Sequence, residues 1–320
     1  MTAAIEAHGL IKHFGKTKAL DGIDLTVEEG RVLGVLGPNG AGKTTAVRIL
    51  ATLLKPDSGT ATVAGLDVVH QARAVRRKIG LTGQFASVDE DLTGMQNLVM
   101  IGQLLDLTTA QARVRAKELL EEFDLTDAAG RLAKTYSGGM RRRLDLSASL
   151  IGRPAVVYLD EPTTGLDPAK RDDVWDMIRV LVKQGTTILL TTQYLEEADA
   201  LANEITVIDH GKIIAHDTPQ GLKRQTGGQT LEVRPTSSDS LPRIRELLVK
   251  FGTREPEQPA PDLLAVPVAD ESALTSVVAA LAAEHISVAE LSLRLPSLDE
   301  VFYSLTGQTK KDDTTNGAAA

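Results

Sequence analysis

Residues 37–44 read Gly37-Pro38-Asn39-Gly40-Ala41-Gly42-Lys43-Thr44, a G-x-x-x-x-G-K-[ST] spacing whose chemistry is the holding of a polyphosphate. Its glycines let backbone amides turn toward phosphate oxygens, and a helix opening near Lys43 adds the positive end of its dipole. Lys43 is spaced to reach the β- and γ-phosphates of a nucleoside triphosphate, and the Thr44 hydroxyl to coordinate Mg²⁺. Thr45, next in the chain, is counted with the nucleotide contacts. A second glycine pair stands in Tyr136-Ser137-Gly138-Gly139-Met140, just before a helical stretch, and it too can bring bare amides against an anion. Two such loops in one chain point to one nucleotide recognised from two surfaces, as in a dimer that clamps it between subunits. Leu159-Asp160-Glu161-Pro162 supplies acids after an apolar strand. Asp160 can hold Mg²⁺ through water, while Glu161 points the other way and polarises an attacking water. Thr163-Thr164-Gly165-Leu166-Asp167-Pro168 then makes a tight turn whose Asp167 can cross a subunit boundary.

These groups need a scaffold, and the flanking sequence describes one. Arg31-Val32-Leu33-Gly34-Val35-Leu36 is a short apolar strand entering the first loop, and Thr44 to Leu54 has helical periodicity. Ala155–Leu159 and Thr187–Leu190 are continuous apolar runs, as expected of strands buried on both faces of a parallel sheet, with a crossover helix from Asp172 to Val182 between them. Residues 1–30 alternate apolar and polar positions around two turn signals, Phe14-Gly15-Lys16 and Asp21-Gly22, and predict antiparallel strands at a sheet edge. Residues 92–134 are helix-rich and predict an inserted helical lobe. Ile205–Ile208 and Lys212–Ala215, joined through Asp209-His210-Gly211, predict a hairpin.

Composition shifts at Gln225-Thr226-Gly227-Gly228. Beyond it a strand (230–234), a helix (241–251), a Pro-rich loop, a strand (263–268), a helix (271–284) and a strand (288–295) predict a small α+β domain in βαβαβ order. A short helix, Leu298 to Leu305, closes it. The expected organisation is a nucleotide-binding domain over 1–225, an accessory domain over 226–307 and a disordered tail over 308–320.

The 320 residues carry a net charge of −8, which argues against a nucleic-acid binder. Cys is absent, removing disulfides and thiolate chemistry. Neither a secretory start nor an apolar run of membrane-spanning length is visible, so work at a membrane would need a partner.

Taken in order, the motifs resemble those of the ATP-binding subunits of ATP-binding-cassette (ABC) transporters, over about residues 4–225. The resemblance implies a RecA-like P-loop NTPase fold: an ABC nucleotide-binding domain with an antiparallel β edge and a helical subdomain at about 86–150. It implies an ATP hydrolase and translocase using ATP and Mg²⁺. Ser137, Gly138 and Gly139 fall on the family's signature, usually Leu-Ser-Gly-Gly-Gln, with departures at Tyr136 and Met140. Phe14 falls on the adenine-stacking aromatic, Asp167 on the D-loop, and Gln84 on the glutamine loop that links Mg²⁺ to the helical lobe. Lys43 and Glu161 are the implied catalytic residues, with Thr44, Gln84 and Asp160 at the metal. One of Arg141, Arg142 and Arg143 would face ATP across the dimer; the sequence does not choose among them.

The family's switch histidine is replaced. Thr191-Thr192-Gln193-Tyr194 places Gln193 there, an amide that can donate toward a γ-phosphate but cannot become a cation near neutral pH. Glu161 is then expected to carry base chemistry and Gln193 only to orient phosphate. The Thr191–Asp199 run and Leu293–Phe302 resemble the daunorubicin/doxorubicin resistance ATP-binding proteins. That resemblance implies a peripheral subunit at the cytoplasmic face of the cell membrane. It would pair head to tail with a second copy and power drug or hydrophobic natural-product efflux through a separate ABC permease. A soluble ABC ATPase on ribosomes or DNA is the alternative, disfavoured by the single cassette and acidic charge. A switch-type GTPase would need Asn-Lys-x-Asp, which is missing.

Overall fold

Alternation along the first strands settles how the chain begins. In a computed structural model, which describes residues 2–83, 88–225 and 229–306, β1 (Ala3–Phe14) and β2 (Thr17–Glu28) pair antiparallel around the Gly15-Lys16 turn. Asp21-Gly22, read from sequence as a second turn, is a β-bulge inside β2. The register steps from Leu10↔Ile23 to Ile11↔Asp21, and Gly22 takes φ +84° to absorb the extra residue.

The chain then runs through β3 (Val32–Leu36), α1 (Lys43–Leu50), β4 (Ser58–Val63), β5 (Leu66–Asp67), α2 (Ala72–Arg76) and β6 (Ile79–Thr82). A helical stretch follows: α3 (Gly94–Leu104), α4 (Thr109–Glu122) and α5 (Gly138–Leu150). After it come β7 (Val156–Asp160), α6 (Pro168–Lys183), β8 (Thr187–Thr191), α7 (Leu195–Leu201), β9 (Glu204–Asp209) and β10 (Lys212–Asp217). Both α3 and α4 open with capping boxes, Thr93 with Gln96 and Thr108 with Gln111.

Two sheets result. The antiparallel one has the order β2-β1-β4-β5, so the N-terminal strands form a sheet of their own. The other has the order β10-β9-β3-β8-β7-β6, parallel except for its β9–β10 edge. Its middle strands are apolar throughout because each face meets a different core. Val156, Tyr158 and Leu189 join α1 and the antiparallel sheet, whereas Val157, Leu159, Ile188 and Leu190 join α5, α6 and the helical stretch. Beneath α7 the sheet carries Gly34, where a Cβ would stand 3.2 Å from that of Ala202.

The chain forms two compact units, dividing between Pro219 and Gln220 within α8 (Pro219–Gln225), slightly before the composition shift. The second contains β11 (Thr230–Pro235), α9 (Leu241–Val249), β12 (Glu257–Ala260), β13 (Leu263–Pro267), α10 (Ser272–Ala283), β14 (Val288–Arg294) and α11 (Leu298–Thr306). Its strands are antiparallel in the order β12-β13-β11-β14, so the expected βαβαβ is corrected to βαββαβ, the split-βαβ arrangement. The extra strand hides in the Pro-rich segment. Pro259 lacks an amide proton and is tolerated because β12 lies at the sheet edge. Leu231, Val233, Leu264 and Val266 pack with Ile244 and Val277 to make this unit's core.

Candidate nucleotide site

The loop from Gly37 to Thr44 leaves β3 and feeds α1. Two of its glycines are dictated by neighbouring backbone. A Cβ on Gly37 would lie 2.2 Å from the Ile208 carbonyl oxygen, and one on Gly42 would lie 2.3 Å from that of Ala19. Gly42 also holds φ +116° as the residue capping α1. The loop is tied down by bonds from Ala41 N to Pro38 O (3.1 Å) and from Gly211 N to Ala41 O (3.0 Å). Lys43 is buried, and its ammonium donates to Gly37 O at 2.6 Å and Pro38 O at 3.1 Å. Burial pulls its pKa below the ordinary lysine value, while the charges of Glu161 and Asp160 oppose that shift. A buried cation that, among the described residues, is hydrogen-bonded by loop carbonyls fits a phosphate as its stronger partner.

The acids arrive on β7. Asp160 pairs in register with Thr191 of β8, whose hydroxyl donates to Asp160 Oδ1. The Thr44 hydroxyl lies 3.5 Å from Asp160 Oδ2, so two hard oxygen donors from different elements sit together, a set suited to Mg²⁺. Glu161 breaks from the strand with φ +52°, its amide donating to Thr191 O at 2.9 Å. Non-glycine residues adopt this conformation at a cost. Thr164 Oγ1 donates to Glu161 Oε2 at 3.2 Å.

Ser137 begins α5 as its cap, its hydroxyl accepting from Met140 N at 3.3 Å. Tyr136, where the family usually has Leu, gains a bond that Leu could not make: its hydroxyl donates to Ala128 O at 2.7 Å. Ser137 and Gly139 border a pocket of about 130 Å³ with Arg143, Lys170 and Asp173. Asp167 caps α6 by accepting from Lys170 N at 3.1 Å, and it also pairs with the Lys170 ammonium, which holds its carboxyl below the usual range. The Lys170 side chain lies across Gly139, where a Cβ would be 3.3 Å from its Cδ.

The sequence-derived residues therefore gather into two groups. Gly37, Pro38, Asn39, Gly40, Ala41, Gly42, Lys43, Thr44 and Thr45 lie with Asp160 and Glu161, while Ser137 and Gly139 lie with Asp167 through Lys170. Among the described residues no hydrogen bond joins the Gly37–Thr44 loop to Ser137, Gly138 or Gly139. Phe14 is half-exposed at the end of β1, with the Lys12 ammonium 5.7 Å from its ring centre. Gln193 is exposed in the turn between β8 and α7. Gln84 lies outside the described residues.

The arginine run separates on the surface of α5. Arg141 pairs with Glu90 at 2.7 Å, and Arg143 pairs with Asp173 at 2.9 Å beside the Ser137 pocket. Arg142 turns inward, a role sequence reading missed. It donates to Pro162 O at 2.6 Å, to Gly83 O and Glu161 O at 3.4 Å, and pairs with buried Asp145 at 3.4 Å. Only the spacing to Asp145, one helical turn on, hinted at that.

Comparison with known proteins places this geometry. Residues 20–164 match the family model described as ABC transporter, and residues 218–306 match the C-terminal domain of ATP-binding proteins like DrrA1-3. The chain is 55% identical to the daunorubicin resistance ATP-binding protein DrrA2 of Streptomyces coeruleorubidus, over 99% of both chains. It is 51% identical to the daunorubicin/doxorubicin resistance ATP-binding protein DrrA of Streptomyces peucetius, over 99% of this chain and 97% of the other. The crystal structure of an ATP-binding cassette of an ABC transporter in its ADP conformation superposes with a TM-score of 0.64 at 25% identity. It covers 69% of this chain and 93% of that one. Such subunits dimerise and work with a membrane permease; among the described residues here no helix is long and apolar enough to cross a membrane. The chain belongs to the ABC transporter family, as an ATP-binding, ATP-hydrolysing subunit of the daunorubicin/doxorubicin resistance type.

Proposed function

We propose that two copies of this chain close head to tail on two ATP molecules at the cytoplasmic face of the cell membrane. Closure then drives a separate permease to export a drug or hydrophobic natural product of anthracycline type. The substrate class follows the names of the relatives above. The observation that carries the dimeric reading is the division of phosphate-binding residues into two groups that do not bond to each other within one chain.

In each composite site Lys43 and the loop amides hold the β- and γ-phosphates, and Phe14 stacks on adenine. Ser137, Gly138 and Gly139 of the other copy complete the γ-phosphate shell, with Asp167 at the seam. Thr44, Asp160 and Gln84 would hold Mg²⁺, which when bound neutralises phosphate charge. Glu161 takes the proton of the attacking water, and Gln193 orients the γ-phosphate by donating its amide hydrogen.

The test uses the chain with its permease. Glu161→Gln is expected to abolish steady-state ATPase while trapping an ATP-dependent dimer, and Ser137→Ala to weaken that dimer without removing ATP binding to the monomer. Daunorubicin retention by cells expressing the pair should rise with Lys43→Ala. A Glu161→Gln chain that stays monomeric at saturating ATP–Mg²⁺ would sink the reading.

A further inference from the structure

Gln193 has to find a phosphate without a charge. Its side chain is exposed and makes no hydrogen bond to the described residues, so its placement is inherited from its neighbours. On one side Thr191 is locked to Asp160 through its hydroxyl, and Thr192 Oγ1 accepts from Tyr194 N at 2.9 Å. On the other side two contacts come from α6. The Arg171 guanidinium stacks over the Tyr194 ring at 4.5 Å, and its Nε donates to Leu166 O at 3.3 Å. One turn further on, Trp175 Nε1 donates to Glu197 Oε1 at 3.2 Å. Glu197 is fully buried, and the indole bond ties its carboxyl to α6 while Thr192, Thr163 and Arg142 also lie against it.

Asp167, Arg171 and Trp175 are spaced by four residues and share one face of α6. The helix that Asp167 caps thus grips the chain just after Gln193 at two points, Tyr194 and Glu197. We propose that the Arg171–Tyr194 stack, backed by the Trp175–Glu197 bond, is a positioning device that sets Gln193 for hydrolysis and ties its place to that of Asp167. A protonated histidine would be drawn to the γ-phosphate by its own charge. A neutral amide has no such pull and acts only where the backbone holds it within hydrogen-bond reach. Arg171, Tyr194, Trp175 and Glu197 are positioning residues in this scheme; none touches the nucleotide.

The inference rests on the role given to Gln193 above, and the experiment separates the two. Steady-state ATPase would be measured on the chain reconstituted with its permease, for Gln193→Ala, Tyr194→Leu, Tyr194→Phe and Arg171→Gln, with melting temperature as a folding control. Tyr194→Phe keeps a ring for the guanidinium and should retain the wild-type rate. Tyr194→Leu and Arg171→Gln should each lower kcat about ten-fold with the KM for ATP essentially unchanged. The double variant should be no slower than either single, because both remove the same stack. If Tyr194→Leu does not fold, Arg171→Gln against Tyr194→Phe still decides the question. Unchanged kcat in Arg171→Gln, or a Phe variant as slow as the Leu one, while Gln193→Ala is slow, overturns the positioning device alone. Unchanged kcat in Gln193→Ala overturns the role of Gln193 and the device with it.

Discussion

Gly42→Ala tests how tightly the phosphate loop is built. Gly42 holds φ +116°, which an L side chain rarely adopts, and a Cβ would stand 2.3 Å from Ala19 O and 2.9 Å from Leu20 Cδ2. The carbonyl cannot move without its strand, so the loop must give way. Backbone strain costs about 1–3 kcal/mol and the forced overlap a similar amount, so about 3 kcal/mol is a moderate expectation. For a unit of this size that lowers the melting temperature by about 6–12 °C. Gly40→Ala is the matched control. Gly40 has φ +82° but nothing within 4 Å of its Cβ position, so only strain of about 1 kcal/mol applies, a drop of about 2–4 °C. Scanning calorimetry of the whole chain reads both, following the transition that ATP shifts. Equal shifts for the two variants, or Gly42→Ala melting like wild type, would refute the backbone-contact argument. ATP binding should be lost in Gly42→Ala at temperatures where the chain is folded, because the displaced loop carries Lys43.

Tyr136→Phe removes the donor to Ala128 O and should lower stability by about 1–2 kcal/mol in urea unfolding. Arg142→Met strips Pro162 O, Glu161 O and Gly83 O of a shared donor and removes the guanidinium that pairs with buried Asp145, at a cost of about 3–5 kcal/mol by the same method. Burial pushes the Glu197 carboxyl above its ordinary pKa, against the pull of Thr192, Thr163, Trp175 and Arg142. The native chain then binds that proton more tightly than the unfolded one. Glu197 therefore costs stability as pH rises from about 4.3 through its raised native value. Glu197→Gln, which keeps an acceptor for Trp175, should gain melting temperature over wild type as pH rises from about 4.5, levelling off once pH passes the raised native value. A constant difference across that range would refute the assignment.

Much of this site could be read from one dimension because its parts are local. The Gly37–Thr44 spacing requires strand, loop and helix in immediate succession, and an apolar run ending in Asp160-Glu161 already says that the acids leave a buried strand. What stayed hidden depends on direction or on distant partners. The three arginines 141–143 look like one basic run, but successive helical residues turn by about 100°, which sends one to Glu90, one to the interior and one to Asp173. Strand β12 carries Pro259 and reads as a loop until β13 is found beside it. The bulge at Gly22 looks like a turn because both need a glycine with positive φ. The grip of α6 on Tyr194 and Glu197 joins residues about twenty apart, and neither partner alone announces it.

In the head-to-tail dimer proposed above, the two residue groups of one chain serve different sites, so lesions in them are separable by mixing. A Lys43→Ala chain keeps an intact Ser137 surface, and a Ser137→Ala chain keeps an intact Lys43 loop. A dimer of one with the other has one composite site with both lesions and one with neither. Each variant alone carries a lesion at every site, whereas random pairing of equal amounts rebuilds about a quarter of all sites. Two defective genes, expressed together, should therefore restore ATPase that neither restores alone.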